Sequence, residues 1–324
     1  MSVKERLLPL LTDSGESFLS GEDAARILGV SRNAVWKAVS ALKSEGYDIE
    51  AVTNRGYRLK DGGDILSAAA IEKNLTILKG KLNIEVKKAV TSTNALLKEK
   101  AAAGASEGTV LIALEQTAGR GRFARKFFSP ADSGIYMSIL LRPRIPAESA
   151  TLITTAAAIA VSEAAENISG RKTGIKWVND VLIDGKKICG ILTEASLNIE
   201  SGELDYAVLG IGLNVYEPEN GFPADIENIA GAILGEHGSG NKSRLAAAVL
   251  ECFFKYYNTL SKPSFINAYR ERCIVIGKQI NVLSAAGARP ALALGIDENC
   301  RLLVKYSDGS DGLLSSGEVS IKIQ

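Results

Sequence analysis

Hydrophobic and polar residues follow three different rhythms along the chain. In the opening sixty residues the rhythm is helical. Ala24, Ala25, Ile27 and Leu28 form an apolar run behind Ser20, which is placed to cap a helix, and Gly29 ends it. Ser31 caps the next helix, in which Ala34, Val35, Ala38, Val39 and Leu42 share one face, leaving Arg32, Asn33, Trp36, Lys37 and Ser40 on the other. "DIEAVTNRGYRL" then predicts two short strands about a turn at Asn54-Arg55-Gly56. From about Leu66 to Cys273, helical and strand-like runs alternate. "TLITTAAAIAVSEAAENI" reads as an alanine-rich helix suited to close packing on a sheet, and "TVLIALEQ", "GIYMSILLRP", "GIKWVNDVLI", "KKICGILTEAS" and "YAVLGIGLNV" read as strands of that sheet. In the last fifty residues short apolar runs, "GKQINVLSA", "PALALGID", "CRLLVKYSDGS" and "EVSIKIQ", are separated by Gly, Asp and Asn turns, which predicts a small β-barrel of the SH3 type.

These rhythms divide the chain into residues 1–63, 64–273 and 274–324, with "KDGGD" as a hinge after the first segment. The predicted class is α+β and multidomain. The order helix, helix, turn, helix, hairpin matches a winged helix-turn-helix, whose second helix of the motif enters the DNA major groove while the wing touches the backbone. Charge supports this through its distribution. Residues 1–60 hold nine Lys/Arg against eight Asp/Glu, yet between Ala24 and Ser44 there are four cations and no acid, so the recognition helix presents a locally positive face. Arg32, Asn33, Trp36 and Lys37, with Arg55 on the wing, are the candidate DNA contacts; the competing reading is a three-helix interaction module with solvated cations.

Composition narrows the chemistry. With 324 residues, 46% hydrophobic and 23% charged, the chain is long enough for two or three domains and at least one substantial core. No apolar run approaches the roughly 20 residues of a membrane span, and "MSVKERLLPLLTDSGESF" lacks the apolar region of a secretory signal, so no membrane contact and a cytoplasmic location are expected. Cys189, Cys252, Cys273 and Cys300 form no C-x-x-C pair and are read as reduced and mostly buried. The single histidine, His237, lies in the loop-like "GEHGSGN", which argues against chemistry built on an imidazole base.

The middle segment carries the candidate chemistry. "TSTNALL" offers Ser92, Thr93 and Asn94 just before a helical run, where taken alone they read as a cap. "EQTAGRGRFARKFFSP" sets Gly119 and Gly121 among Arg120, Arg122, Arg125 and Lys126 after a strand; exposed backbone N–H groups and forked guanidinium donors suit a phosphate or carboxylate. "KWVNDVLIDGKKICGILTE" adds Lys176, Asn179, Asp180 and Lys187 around a hairpin-like turn at Asp184-Gly185.

In this order and at these spacings, "STN", "EQTAGRGR…SP", "KWVND…KK..GILTE" and "GIGLNV" resemble the biotin protein ligase family over about residues 66–324. With the winged helix in front, the chain resembles that family's bifunctional form, which is both ligase and biotin-operon repressor. The resemblance implies a central domain of the class II aminoacyl-tRNA synthetase/biotin ligase type. It implies ATP-dependent formation of biotinyl-5′-AMP, then transfer of biotin to a lysine of a biotin carboxyl carrier protein, with Mg²⁺ accompanying ATP. It also implies operator DNA as a partner and a homodimer formed through the central sheet. On the matching positions, Ser92, Thr93, Asn94, Gln116, Gly119, Arg120, Gly121, Arg122, Lys187 and Gly190 are expected around biotin and its adenylate, Arg122 and Lys187 being the catalytic candidates. Arg125, Phe127, Lys176, Asn179, Asp180 and Asn214 are expected around ATP, with Asp180 contacting the metal; Gly190 and Gly212 are expected to let the backbone approach a ligand.

The chain departs from the family pattern at Val178, often proline, at Phe127, often tryptophan, at Ala124, glycine in some members, and at Cys189, commonly a small residue. These departures bear on loop stiffness and on the aromatic lid over the adenine. Two alternatives stay open on sequence: a lipoate ligase using the same activation chemistry, and a DNA-binding sensor that binds biotin or its adenylate without ligating, against which Arg120, Arg122 and Lys187 argue.

Overall fold

The computed structural model describes residues 2–15, 17–44, 47, 49–59, 64, 66–131, 133–197, 202, 204–238, 240–284, 287–315 and 317–321. The hinge glycines Gly62 and Gly63 lie outside the described residues. The chain forms two compact units, Met1–Asn74 with Glu236–Arg244, and Leu75–Gly235 with Leu245–Gln324.

The first unit contains α1 (Val3–Asp13), α2 (Gly21–Leu28), α3 (Arg32–Ser44), β1 (Ile49–Val52), β2 (Gly56–Leu59) and α4 (Ala68–Asn74). Ser20 Oγ accepts the Asp23 N–H at 3.0 Å and starts α2; Gly29, at φ 66°, ends it in the left-handed conformation that glycine adopts without a Cβ penalty. Ser31 Oγ accepts the Ala34 N–H at 3.2 Å to start α3. Leu7, Leu11, Leu28, Val35, Val39, Leu42, Ile49 and Leu59 close a common core. Two expected members differ: Ile27 is 55% exposed and Ala34 is half-buried. The reason is angular, because Ala24, Ala25 and Leu28 already fill the inward arc of the eight-residue α2, which turns Ile27 to solvent. β1 and β2 pair antiparallel, and Tyr57 exchanges two 2.8 Å backbone hydrogen bonds with Leu19. That close approach explains Gly56. At φ 107°, a Cβ there would sit 2.2 Å from the Leu19 carbonyl oxygen.

The second unit is built on a seven-stranded sheet of β3 (Asn83–Val90), β4 (Thr109–Gln116), β5 (Gly134–Leu141), β6 (Thr173–Lys176), β7 (Asp180–Ile183), β8 (Lys186–Leu197) and β9 (Leu204–Asn214), in the order β3-β4-β5-β9-β8-β7-β6. α5 (Thr93–Ala102) makes the crossover between the parallel pair β3 and β4; the remaining pairings are antiparallel. β3 escaped the sequence reading because Asn83, Glu85, Lys87 and Lys88 make it the polar edge strand. "GIKWVNDVLI" is two strands, β6 and β7, reversed at Trp177-Val178-Asn179, so the chain turns twice within fifteen residues. α6 (Thr151–Ser169) packs its alanines on this sheet and buries Leu152, Ile153, Ile159 and Val161, each worth about 1.5–3 kcal/mol over exposure. α7 (Asn241–Tyr257) and α8 (Ile266–Arg272) complete the helices.

The C-terminal strands β10 (Gln279–Ser284), β11 (Gly287–Ile296), β12 (Leu302–Tyr306), β13 (Asp311–Leu314) and β14 (Glu318–Ile321) form one antiparallel sheet in the order β13-β12-β11-β10-β14. It belongs to the same compact unit as the seven-stranded sheet. Trp177 Nε1 donates to the Cys300 carbonyl at 3.0 Å, fixing the β6–β7 turn against it. Cys189, Cys273 and Cys300 are buried, Cys252 is half-buried, and all four are free thiols. Among the described residues, no helix is long and apolar enough to cross a membrane.

Candidate functional site

A cavity of about 370 Å³ lies over the centre of the seven-stranded sheet. Its floor is glycine. Gly190 on β8 and Gly212 on β9 are cross-strand partners, and the Phe127 ring lies so close to both that a Cβ would be 2.9 Å and 2.4 Å from its carbons. Two residues earlier on the same face of β9, Gly210 leaves room for the Asn94 amide, whose oxygen would be 2.3 Å from a Cβ. The spacing in "GIGLNV" therefore seats two side chains, one at each end of the cavity.

At the polar end, Ser92 caps α5 by accepting the Ala95 N–H at 3.4 Å and also lines the cavity, so both readings of "STN" hold at once. The Thr93 N–H and Oγ1 donate to Gln116 Oε1 at 2.9 and 3.1 Å, and Gln116 Nε2 donates to Ser129 Oγ at 3.0 Å. These bonds fix which way the Gln116 amide faces, since a backbone N–H can only be met by its oxygen. Asn94 Nδ2 donates to Glu194 Oε2 at 2.8 Å and to the Leu192 carbonyl at 3.3 Å, while Asn94 Oδ1 accepts from Ser138 Oγ at 2.6 Å. Asn94 thus spends its amide on the protein and positions its neighbours. Partial burial pushes the Glu194 carboxyl up, but the hydrogen bonds from Lys98 and Asn94, with the charges of Lys98 and Arg120, outweigh it and hold the carboxyl below its ordinary range.

The glycine- and arginine-rich segment folds over the cavity as an ordered loop. Phe127 N–H donates to the Gly119 carbonyl at 3.0 Å and Gly121 N–H to the Arg125 carbonyl at 2.7 Å. Gly119 has no room for a side chain, since a Cβ would meet the Phe127 carbonyl oxygen at 2.4 Å. Phe123 and Ala124 at the tip have φ of 55° and 58°, the left-handed region, which costs a non-glycine residue about 1 kcal/mol or more. The family resemblance expects glycine at Ala124 in some members, and glycine would adopt this conformation without the Cβ penalty. Arg122 reaches furthest: Nη1 donates to Asn179 Oδ1 at 2.9 Å and Nη2 to the Gly317 carbonyl at 2.8 Å, joining the loop to the β6–β7 turn and to the C-terminal sheet. Arg120 and Arg125 line the same cavity.

Beside the loop's Phe127, Lys187 Nζ lies 2.7 Å from Asp180 Oδ1, and the aromatic face of Phe127 is 6.0 Å from the same ammonium. Asn179 Nδ2 donates to the Ile191 carbonyl at 3.1 Å and holds the turn to β8. Asn214 Nδ2 donates to the Gly231 carbonyl at 3.1 Å and to the Lys187 carbonyl at 3.4 Å, so it braces the strand segment that carries Lys187. Lys176 lines the cavity as the direct cross-strand partner of Asp180. Asp180 Oδ1 is buried and, despite the nearby ammonium, has no hydrogen bond of good geometry. One such carboxylate fits Mg²⁺ that arrives on phosphates with most of its water, whereas a resident metal needs a fuller cage. Among the described residues, no group of three or more His, Cys, Asp or Glu could supply one.

The cavity thus brings together Ser92, Thr93, Asn94, Gln116, Arg120, Gly121, Arg122, Arg125, Phe127, Lys176, Asn179, Asp180, Lys187, Gly190 and Asn214; Gly119 supports the loop from behind. Sequence reasoning missed Phe222, Ile226, Ile229 and Ala230, which form an apolar wall beside Lys187, and Ser138 and Glu194, which brace Asn94. The wall lies in "NGFPADIENIAGAIL", whose apolar residues keep neither helical nor strand period. Only their proximity to Lys187, through the 2.7 Å bond from Lys187 N–H to the Ile229 carbonyl, marks them.

In the first unit, Arg32, Asn33, Trp36 and Lys37 are all exposed on the outer face of α3. The Arg55 and Arg58 guanidiniums lie 4.3 and 4.7 Å from the centre of the Phe18 ring, and Arg58 also pairs with Glu50 at 2.6 Å. The wing cation is thereby held against an aromatic face.

Three family models match in sequence along the chain: an HTH domain over residues 4–58, the biotin/lipoate A/B protein ligase family over 86–214, and a biotin protein ligase C-terminal domain over 275–322. The bifunctional ligase/repressor BirA of Bacillus subtilis is 34% identical over 319 residues, covering 97% of this chain and 98% of that protein. The biotin–[acetyl-CoA-carboxylase] ligase of Mycobacterium tuberculosis is 32% identical and covers 70% of this chain and 85% of its own length. Among solved structures, the biotin protein ligase from Aquifex aeolicus in complex with biotin and ATP aligns with a TM-score of 0.60 at 29% identity, covering 75% of this chain and 99% of that one.

Proposed function

The chain belongs to the biotin protein ligase family in its bifunctional ligase/repressor form, and from that premise we propose how its own residues divide the work. The enzyme joins biotin to a lysine of a biotin-dependent carboxylase through biotinyl-5′-AMP, using ATP, and its winged helix makes it a repressor. In the first half-reaction a biotin carboxylate oxygen attacks the α-phosphorus of ATP, the bond from that phosphorus to the bridging oxygen breaks, and pyrophosphate leaves. In the second the lysine amine attacks the acyl carbon, the bond from that carbon to the phosphate oxygen breaks, AMP leaves and the amine loses a proton.

One observation carries the assignment of roles: Arg122 and Lys187 line a single cavity, held on the consecutive residues Asn179 and Asp180, above a floor of glycines. No nucleophile of the enzyme is needed, so catalysis consists of positioning and of cations preorganised where phosphoryl charge develops. Lys187 serves the α-phosphate and the activated carboxyl. Arg120 and Arg122 close over the same groups, and Asn179 sets Arg122. Ser92, Thr93 and Gln116 face the polar ring of biotin, while Phe222, Ile226 and Ile229 exclude water from the anhydride. Mg²⁺ on ATP supplies charge neutralisation at the phosphates, and Asp180 is the residue that would hold it. We assign a biotin carboxyl carrier domain as acceptor. We also assign a homodimer formed through the central sheet, because among the described residues strand β8 beyond Ile191 pairs with β9 alone.

Pyrophosphate exchange tests this reading. With ATP and Mg²⁺, biotin should drive labelled pyrophosphate into ATP and lipoate should not; equal exchange with both acids, or with neither, would sink it.

A further inference from the structure

Trp36 is an exposed indole on a helix that has no folding need for it. Val35, Ala38, Val39 and Leu42 already complete the inward face of α3, all at 5% exposure or less, whereas Trp36 is 57% exposed. Its neighbours on the outer face are Arg32, one turn earlier, and Asn33 and Lys37, with no acid on that arc. The face therefore combines cations, which suit phosphates, with one large ring that is apolar over most of its surface and carries a single N–H donor.

A helix lying in the major groove meets base edges, because the aromatic faces of the bases are taken up by stacking with one another. Of the groups displayed on those edges, the C5 methyl of thymine is the apolar one; the others are hydrogen-bond donors and acceptors. The N-terminal turns of a recognition helix are the part that reaches base edges, and Trp36 stands in the second turn. We infer that Trp36 is a specificity-determining residue that reads a thymine methyl in each operator half-site. Arg32 and Lys37 beside it, and Arg55 held on Phe18, fix the register on the phosphates. The inference rests on the reading of the first unit as a DNA-binding module.

The test uses the full-length protein with biotin, ATP and Mg²⁺. Duplexes are enriched from a random pool, and the thymines of the best binder are replaced by uracil one at a time, which removes only the methyl group. The parent protein should lose about three- to fivefold in affinity at one thymine per half-site, the worth of one buried methyl. Trp36→Ala should bind the thymine duplex more weakly and show no further loss on uracil. The inference is overturned if uracil is tolerated at every position by the parent, or if Trp36→Ala keeps the same uracil penalty. Enrichment of no duplex would instead overturn the DNA-binding reading itself.

Discussion

Lys187 is the residue whose removal tests the charge argument most directly. Its ammonium lies beside both Asp180 and the ring of Phe127, so Lys187→Ala should slow adenylate formation about 10²–10³-fold in a single turnover, the usual cost of one electrostatic contact to developing charge. An unchanged rate would make it a bystander. Arg122 has a different task, because its two structural hydrogen bonds hold the loop to Asn179 and to Gly317. Arg122→Gly removes both and frees the loop. Release of biotinyl-AMP should then quicken by about tenfold or more, and by a larger factor than synthesis slows. Trapping of free adenylate by hydroxylamine would report this, and release at the parental rate would contradict it. At this scale the sequence was legible for charged and glycine residues, whose motif spacing marks them. It was silent on Ser138 and Glu194, which brace Asn94 from strands far apart in the chain.

Among the elements, α6, α8 and β6 meet at one half-buried carboxylate. Glu166 on α6 accepts from Arg272 Nη2 at 2.8 Å and from the N–H and hydroxyl of Thr173 at 3.0 and 2.8 Å. Partial burial pushes its carboxyl up, but the Arg272 bond and the two Thr173 bonds outweigh this and bring it down to about 2. A carboxyl depressed by folding contributes stability that is complete above its unfolded value of 4.5 and is lost as pH falls towards 2. Thermal melts should show the parent losing stability across that window. Glu166→Gln should be less stable at neutral pH, by about 1–3 kcal/mol, with a shallower fall in acid. Equal slopes for the two proteins would remove Glu166 from the acid response.

For the whole molecule, the question is how a ligand in one unit governs DNA binding by the other. A single winged helix covers one half-site, so a dimer reading two half-sites gains affinity that the few cations of α3 do not supply alone. If the adenylate favours the dimer, linkage requires the dimer to bind adenylate more tightly by the same factor. Sedimentation with and without biotin and ATP should show a shift from monomer to dimer, and operator affinity should rise with it. Transfer of biotin to the acceptor lysine should then empty the site and relax repression. A chain that stays monomeric, or binds its operator equally in both conditions, would have a DNA-binding unit without a biotin-responsive switch.

The sequence by itself determined the helix-turn-helix of the first unit, the long helix α6, most strands of the two sheets and which cations are candidates for the cavity. Each of these is set by local periodicity or by a side chain's own chemistry. Tertiary structure alone decided what those residues face. Asn94 turned inward because Gly210, from a strand more than a hundred residues away, leaves the space for it. Phe127 came to rest on Gly190 and Gly212 because β8 and β9 pair in that register, and Arg122 found Gly317 because the C-terminal sheet packs in the same unit. The apolar wall at Phe222, Ile226 and Ile229 took its meaning only from lying next to Lys187. Periodicity reports how a segment folds on itself; which distant segment it meets depends on strand order and register, and these are settled by the packing of the whole core.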